Sequence, residues 1–264
     1  MRICVAGACG RMGRRILELA IADGIEIAGG FDAPANAGVE LHVGAECGKP
    51  QRVVTAADAA QALSGADALI DFTQANACVD NVRAAAGCGI AAVAGTTGLS
   101  PEQRAELRAL ARDIAIVYAP NMSVGVNLLF KLTGEVARIL GLDYNVEIVE
   151  MHHNQKKDSP SGTAVRLAEC AAKALGLDYA RETVHGREGL VGARPARQIG
   201  MHAVRGGDVV GEHTVMFIGR GERIELTHKA QNRDNFARGA LVAARFAVKA
   251  APGLYDMQDV LGLK

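Results

Sequence analysis

A chain of 264 residues in which Lys+Arg and Asp+Glu both number 29 carries no formal net charge, which excludes the basic footprint of a nucleic-acid binder and the polybasic anchor of a membrane-surface protein. Aromatic residues are 4% with no Trp, against a stacking platform for single strands, and no apolar run reaches the roughly 18 residues of a membrane span. The length suits one large domain or two smaller ones, and a small anionic ligand would need a local positive site because the global field offers none.

The opening "MRICVAG" runs straight into a strand pattern rather than a signal peptide, and six cysteines (Cys4, Cys9, Cys47, Cys78, Cys88, Cys170) form no C-x-x-C pair. A reduced cytoplasm is the expected compartment, with Cys4 and Cys78 as small core residues. In chain order, "RICVAG" predicts a strand, "RMGRRILELAIADG" a helix ended by Gly24, and "IEIAGGFD" a second strand. Three more apolar runs follow, "ADALIDFT", "GIAAVAGTTG" and "IAIVYAPN", with helical segments between strands. "LSPEQRAELRALAR" spells a helix with Ser100 as N-cap, Pro101 at the first position and Gln103 at the third. Such alternation implies a parallel sheet covered on both faces.

The pattern changes near Val124. A helix over 126–140 leads to the strand "NVEIVEMHH", and a second helix spans 163–175. Three strands, "RQIGMHAVRGGD", "EHTVMFIGRGE" and "RIELTHKA", are joined by hairpin-like turns at Gly206-Gly207 and Gly219-Arg220-Gly221. The fold class is therefore α/β: an N-terminal Rossmann-like parallel-sheet dinucleotide-binding domain over 1–123, plus a smaller α+β domain over 124–232. The last helix, "RDNFARGALVAARFAVKA", is expected to complete the first domain from 233–264.

"CVAGACGRMGRR" sets Gly7, Gly10 and Gly13 between the first strand and helix, where glycines permit a tight turn and close approach to a pyrophosphate. The helix N-terminus adds N–H donors and partial positive charge. Cys9 stands where a second glycine is usual, so the spelling alone equally fits a packing turn. Asp32 ends the next strand 19 residues after Gly13, positioned to accept from the ribose hydroxyls. That carboxylate would repel a 2′-phosphate, Ala33 and Pro34 follow it, and Arg11 is the one obvious cation in the loop. NADH is the favoured cofactor and NADPH a possible one. "GTTG" (Gly95, Thr96, Thr97, Gly98) and "APNMSVG" (from Ala119, Pro120, Asn121 and Met122) lie at strand ends where ligands of such sheets collect, although each can equally be a structural turn.

"EMHHNQKKDSPSGTA", from Glu150 to Ala164, admits a metal site, a solvated loop or an acid–base centre. Adjacent His152 and His153 diverge along an extended chain, whereas zinc needs convergent ligands, so no metal is expected. Ser161, Gly162 and Thr163 at a helix start can bind a carboxylate, or Ser161 can simply be an N-cap. With Lys156 and Lys157 nearby, the segment reads as proton donors beside a carboxylate pocket, suited to reducing a small anionic substrate.

Taken together, "GACGRMGRR", "IDFT", "GTTG", "APNMSVGVN", "EIVEMHHNQKKDSPSGTA", "VRGGDVVGEHTVMF" and "RIELTHKA" resemble the dihydrodipicolinate reductase family, in the family's order and over nearly the whole chain. The resemblance implies reduction of a cyclic dicarboxylate in the diaminopimelate and lysine pathway, with NADH or NADPH as hydride donor. It implies His152 as proton donor and acceptor, Lys156 as proton donor, His153 as a substrate contact and Gly162-Thr163 as the carboxylate site. Gly7, Ala8, Cys9, Gly10, Arg11, Met12, Asp32, Gly95 to Thr97 and Ala119 to Met122 match its cofactor contacts. A homotetramer built through the second domain's sheet, and closure of the two domains over the ligands, are implied as well. Lys157 and Ser159 depart from the family's usual Val and Ala, and no basic residue follows Asp32. Two further readings remain: another nicotinamide enzyme of this architecture, such as an amino-acid dehydrogenase, or a non-catalytic dinucleotide-binding redox sensor.

Overall fold

Alternation along Arg2–Ala6 (β1) sends Ile3 and Val5 to one side and Cys4 and Ala6 to the other, and all four are completely buried. A strand apolar on both sides needs cover on both. The computed structural model describes residues 1–264, and packing divides them into one unit of Met1–Val124 with Asp234–Lys264 and another of Gly125–Arg233.

In the first unit β1 is followed by α1 (Arg11–Ala22), β2 (Glu26–Phe31), β3 (Glu40–Val43), β4 (Gln51–Val54), α2 (Ala59–Leu63), β5 (Ala68–Asp71), α3 (Ala75–Gly87), β6 (Ala91–Ala94), α4 (Pro101–Leu110) and β7 (Ala115–Tyr118). The second unit contains α5 (Val124–Leu140, whose first residue belongs to the first unit), β8 (Asn145–His152), α6 (Gly162–Leu175), α7 (Tyr179–Glu182), β9 (Thr183–His185), β10 (Ile199–Arg205), β11 (Gly211–Ile218) and β12 (Arg223–Ala230). The chain then returns to the first unit with α8 (Asp234–Ala247), β13 (Gly253–Tyr255) and α9 (Met257–Val260).

The first unit's sheet runs β13-β7-β6-β5-β1-β2, every pair parallel. Helices α1 and α8 cover the face carrying Ile3, Val5, Ile70 and Val93, while α2, α3 and α4 cover Cys4, Ala6, Leu69 and Ile116. The chain leaves β1 for β2 on one side and resumes at β5 on the other. That reversal is the crevice where open α/β sheets collect ligands. Helix α4 has the reciprocal cap its sequence spells: the Gln103 N–H donates to Ser100 Oγ (3.2 Å) and the Ser100 N–H to Gln103 Oε1 (2.8 Å). Helix α8 packs through Ala237, Gly239, Ala240, Ala243 and Ala244, small residues that let its backbone come close to its neighbours.

Several features differ from the sequence expectation, the short edge strands β9 and β13 among them. Between β2 and β5 the chain forms the antiparallel β3–β4 hairpin as well as short α2, because "ELHV" and "QRVV" are too brief to stand out from their polar surroundings. In the second unit the sheet order is β12-β11-β8-β10-β9, so the Gly206-Gly207 turn does not close a hairpin. Strand β8 lies between the flanking strands, parallel to β10 and antiparallel to β11. Turn residues report that the chain reverses, not whether a third strand occupies the gap. The 219–221 turn does close a hairpin, β11 with β12.

Helix α6 and the inner side of α5 cover one face of this second sheet, over Val146, Ile148, Ile199, Met201, Val215 and Phe217. The other face carries Val149, Met151, Val204, Met216 and Ile218, all partly or well exposed. Within it Glu147 is buried beneath Arg187, Arg194 and His202.

Candidate active site

The glycine turn after β1 is obligatory in shape. Gly7 has φ +77°, and a Cβ there would lie 2.7 Å from the Phe72 carbonyl oxygen; at Gly13 it would lie 2.1 Å from the Gly7 oxygen, so α1 packs on the turn only without a side chain. The donors are distributed unevenly. The N–H groups of Gly7 and Ala8 both point at the Phe31 carbonyl, that of Gly10 at Gly7, and that of Cys9 at Asp32 Oδ2 (2.9 Å). Helix α1 opens at Gly10 without a side-chain cap. The N–H groups of Arg11 and Met12 in its first turn therefore fit a pyrophosphate, while Gly7, Ala8 and Cys9 provide contour. Asp32 Oδ1 accepts from the Ala33 N–H (2.8 Å) and Asn36 Nδ2 (2.9 Å), so Asp32 braces the glycine loop and keeps spare acceptor capacity on Oδ2.

At the end of β6, Gly95 is demanded by the Phe72 ring, which a Cβ would meet at 2.3 Å. The Thr96 hydroxyl turns inward to Asp71 Oδ1 (2.6 Å), leaving its backbone and the exposed Thr97 for any ligand. Asp71 is fully buried and also takes Thr73 and Asn81 as donors, a brace for these loops that sequence reasoning missed. In the loop after β7, Ala119 and Met122 are buried, Pro120 is exposed, and Asn121 Oδ1 accepts from the Ser123 N–H (2.9 Å). The Met122 carbonyl faces Gly239 of α8 so closely that a Cβ there would sit 1.7 Å from its oxygen.

The second unit gathers its chemistry at the end of β8. Residues two apart on a strand share a side, so Glu150 and His152 point the same way. His152 Nδ1 lies 2.5 Å from Glu150 Oε2. Parallel pairing sets Arg205 beside His152 and antiparallel pairing sets His213 beside Glu150. Glu150 is fully buried, and Arg205 grips it with both terminal nitrogens at 2.8 Å. Its Oε1 also accepts the Ser161 N–H at 3.0 Å. Burial pushes the Glu150 carboxyl up, but the hydrogen bonds from Arg205, His152 and Ser161 outweigh that and hold it below the usual range.

Burial lowers His152 below the ordinary histidine range, with Glu150 opposing and Lys156 and Arg205 adding to the fall. His213 meets the His152 ring edge-on at 5.1 Å, and burial drives it down to about 3. Both rings are therefore neutral at pH 7. A Cβ on Gly211 would come within 3.0 Å of His152 Nε2, so glycine there keeps that edge of the ring uncrowded.

Ser161 caps α6: its Oγ accepts the Ala164 N–H (3.2 Å) and sits 3.1 Å from His213 Nε2. Its side chain belongs to the framework, and the helix-start groups turned outward are those of exposed Gly162 and partly exposed Thr163. Lys156 is half-buried with Nζ 3.0 Å from Asp158 Oδ1, and its N–H donates to the His153 carbonyl (3.2 Å). His153 is partly exposed and Lys157 is exposed. The 206–210 loop closes over this end: Gly206 N–H donates to the His152 carbonyl (2.9 Å) and His153 N–H to that of Val209 (2.8 Å).

The structure thus brings His152, Lys156, Ser161 and the α6 start into one cluster, and adds Glu150, Arg205 and His213. Glu150 was legible from its i, i+2 spacing to His152. Arg205 and His213 come from strands whose register no local pattern discloses. The cluster offers a neutral imidazole, an ammonium group and helix N–H donors, the elements needed to fix a carboxylate and exchange a proton.

Two family models match the chain: "Dihydrodipicolinate reductase, N-terminus" over residues 1–122 and "Dihydrodipicolinate reductase, C-terminus" over 125–261. A 4-hydroxy-tetrahydrodipicolinate reductase of Syntrophotalea carbinolica is 51% identical over 267 residues, covering 100% of both chains. One of Geobacter metallireducens is 51% identical over 266 residues with the same coverage. Among solved structures, a dipicolinate-bound dihydrodipicolinate reductase from a Paenisporosarcina species superposes with a TM-score of 0.78 at 24% identity, over 98% of each chain. An amine dehydrogenase from Mycobacterium smegmatis shares the fold at a TM-score of 0.59 and 15% identity, covering 96% of this chain and 94% of its own.

Proposed function

The chain belongs to the dihydrodipicolinate reductase family, and from that premise we propose that it reduces 4-hydroxy-tetrahydrodipicolinate to tetrahydrodipicolinate in diaminopimelate and lysine biosynthesis. The observation that carries this is identity of 51% over the entire chain, which takes in both the glycine loop and the segment from Glu150 to Ala164. The amino-acid dehydrogenase reading rests on architecture alone, and a dinucleotide-binding sensor would need no cluster of proton-exchanging groups.

A bound dihydronicotinamide supplies the hydride. The first unit would hold it, the Arg11 and Met12 N–H groups serving the pyrophosphate, Asp32 the ribose, and the loops at Gly95–Thr97 and Ala119–Met122 the nicotinamide end. In the second unit, Gly162 and Thr163 bind a substrate carboxylate and His153 contacts the ring. Lys156 gives the proton that balances hydride addition to the ring, and the 4-hydroxyl leaves as water. His152, neutral at pH 7 for the burial reason above, exchanges a proton with the substrate at Nε2. Lys157 is a solvated charge.

NADH is the preferred donor, because a 2′-phosphate near Asp32 meets like charge with no basic residue following it. Initial rates with substrate generated in situ by the preceding synthase should give a higher kcat/KM with NADH. A preference of about tenfold or more for NADPH overturns the Asp32 argument.

The exposed sheet face of the second unit, with Val149, Met151, Val204 and Met216, is assigned to contacts between copies in a cytoplasmic homotetramer. Light scattering on the purified enzyme should read four times the 27.5 kDa chain mass; a monomeric mass removes the assignment.

A further inference from the structure

We propose that Glu150 is a positioning residue for the reductase reaction: clamped in its ionised form by Arg205, it holds His152 with the proton on Nδ1 and leaves the Nε2 lone pair to the substrate. The inference deepens the functional reading above and rests on it.

An ionised carboxylate offers about four lone-pair sites and no donor. On Glu150, Oε1 takes Arg205 and the Ser161 N–H, while Oε2 takes Arg205 and His152 Nδ1. A group that can only accept makes its imidazole neighbour donate, so the Nδ1–H tautomer is fixed and Nε2 carries the lone pair.

The cost of the arrangement points the same way. Glu150 is fully buried, and a buried ion pair is weak evidence for stability, since apolar residues of similar volume often do as well. What an apolar pair could not supply is a fixed tautomer. The clamp is itself held: Arg205 also donates to the Asp158 carbonyl at 2.8 Å, and Asp158 pairs with Lys156 at 3.0 Å. One chain of contacts thus orients both proton-exchanging side chains.

The groups facing His152 can be named element by element. They are Glu150 on its own strand β8, Arg205 on β10, His213 on β11 with His228 of β12 behind it, and Lys156 in the loop after β8; α6 contributes Ser161 and no charge. Among the charged groups only Glu150 favours the imidazolium, whereas burial, Lys156 and Arg205 disfavour it. Removing the carboxylate therefore shifts His152 titration to lower pH and frees the ring to take either tautomer.

The test is Glu150→Gln, which keeps the shape and removes the charge. Wild-type turnover of the in-situ substrate is measured first; its absence would count against the reductase reading and not against this one. In the variant, kcat should fall about 10²-fold while KM changes less than about threefold. The acid limb of kcat/KM, which reports protonation of His152, should move down by at least about half a pH unit. A merely structural role would leave that limb in place. Nitrogen-15 spectra of histidine-labelled wild-type enzyme, with His152 assigned through His152→Gln, provide a reading that survives a failure of Glu150→Gln to fold. They should give the Nδ1–H tautomer at neutral pH. An Nε2–H tautomer in the wild type, or a folded Glu150→Gln enzyme with unchanged kcat and unchanged acid limb, overturns the proposal.

Discussion

Lys156→Ala should lower kcat by about 10³-fold while raising KM for the dicarboxylate only severalfold. Loss of a positioned general acid removes a factor of about 10²–10⁴. The anchors proposed for the substrate, the α6 start and His153, are untouched by the substitution, so ground-state binding should suffer less. The side chain is suited to this selectivity: it is half-buried and paired with Asp158 at 3.0 Å, and its backbone is tied to His153. His152→Ala should show the same division between kcat and KM. Lys157→Ala supplies the control, because that side chain is exposed and its loss should leave both constants nearly unchanged. Steady-state kinetics on the three variants check this. An unchanged kcat in both Lys156→Ala and His152→Ala would refute the assignment of proton exchange to this cluster.

Gly239→Ala is expected to destabilise the protein by about 3 kcal/mol, in the opposite direction to what helix propensity alone dictates. In an open helix interior the same exchange stabilises by up to about 1 kcal/mol. Here the added Cβ would lie 1.7 Å from the Met122 carbonyl oxygen and 2.7 Å from its carbon. The obstacle is backbone, so no side-chain rotation relieves it. Either α8 lifts from the sheet or the loop from Ala119 to Met122 shifts. That loop is assigned to the nicotinamide end of the cofactor, so the variant should also raise the KM for NADH. Thermal or urea unfolding reads the first effect and initial rates the second. A variant at least as stable as the parent would show that the helix and the loop do not touch as described.

The sheet of the first unit was legible because its strands are short, apolar on both sides and separated by helical segments, one of them with the explicit Ser100-Pro101-Gln103 cap. The glycine loop was legible in position but not in detail. Which N–H groups point outward depends on where the Phe31 carbonyl and the Asp32 carboxylate lie, and both come from the next strand. The same division holds in the second unit. "EMHHNQKKDSPSGTA" announced its chemistry, and the two-residue spacing of Glu150 and His152 was available to any reader of the strand. Arg205 and His213 lie 53 and 61 positions beyond His152 in the numbering. Only strand register, set by packing over the whole sheet, brings them back to it. The Gly206-Gly207 turn misled for the same reason, since it closes over the end of β8 instead of joining its own flanking strands.

The return of the last 31 residues to the first unit, Asp234–Lys264, has a consequence for synthesis on the ribosome. The cofactor-binding sheet is begun first and finished last. Its face over Ile70 and Val93 needs α8 beside α1, and its β7 edge needs β13. Translation of the intervening second unit, at about 5–20 residues per second, takes on the order of 5–20 s. For that interval the nascent chain carries an apolar face covered by α1 alone and an open strand edge, and only its final segment completes both.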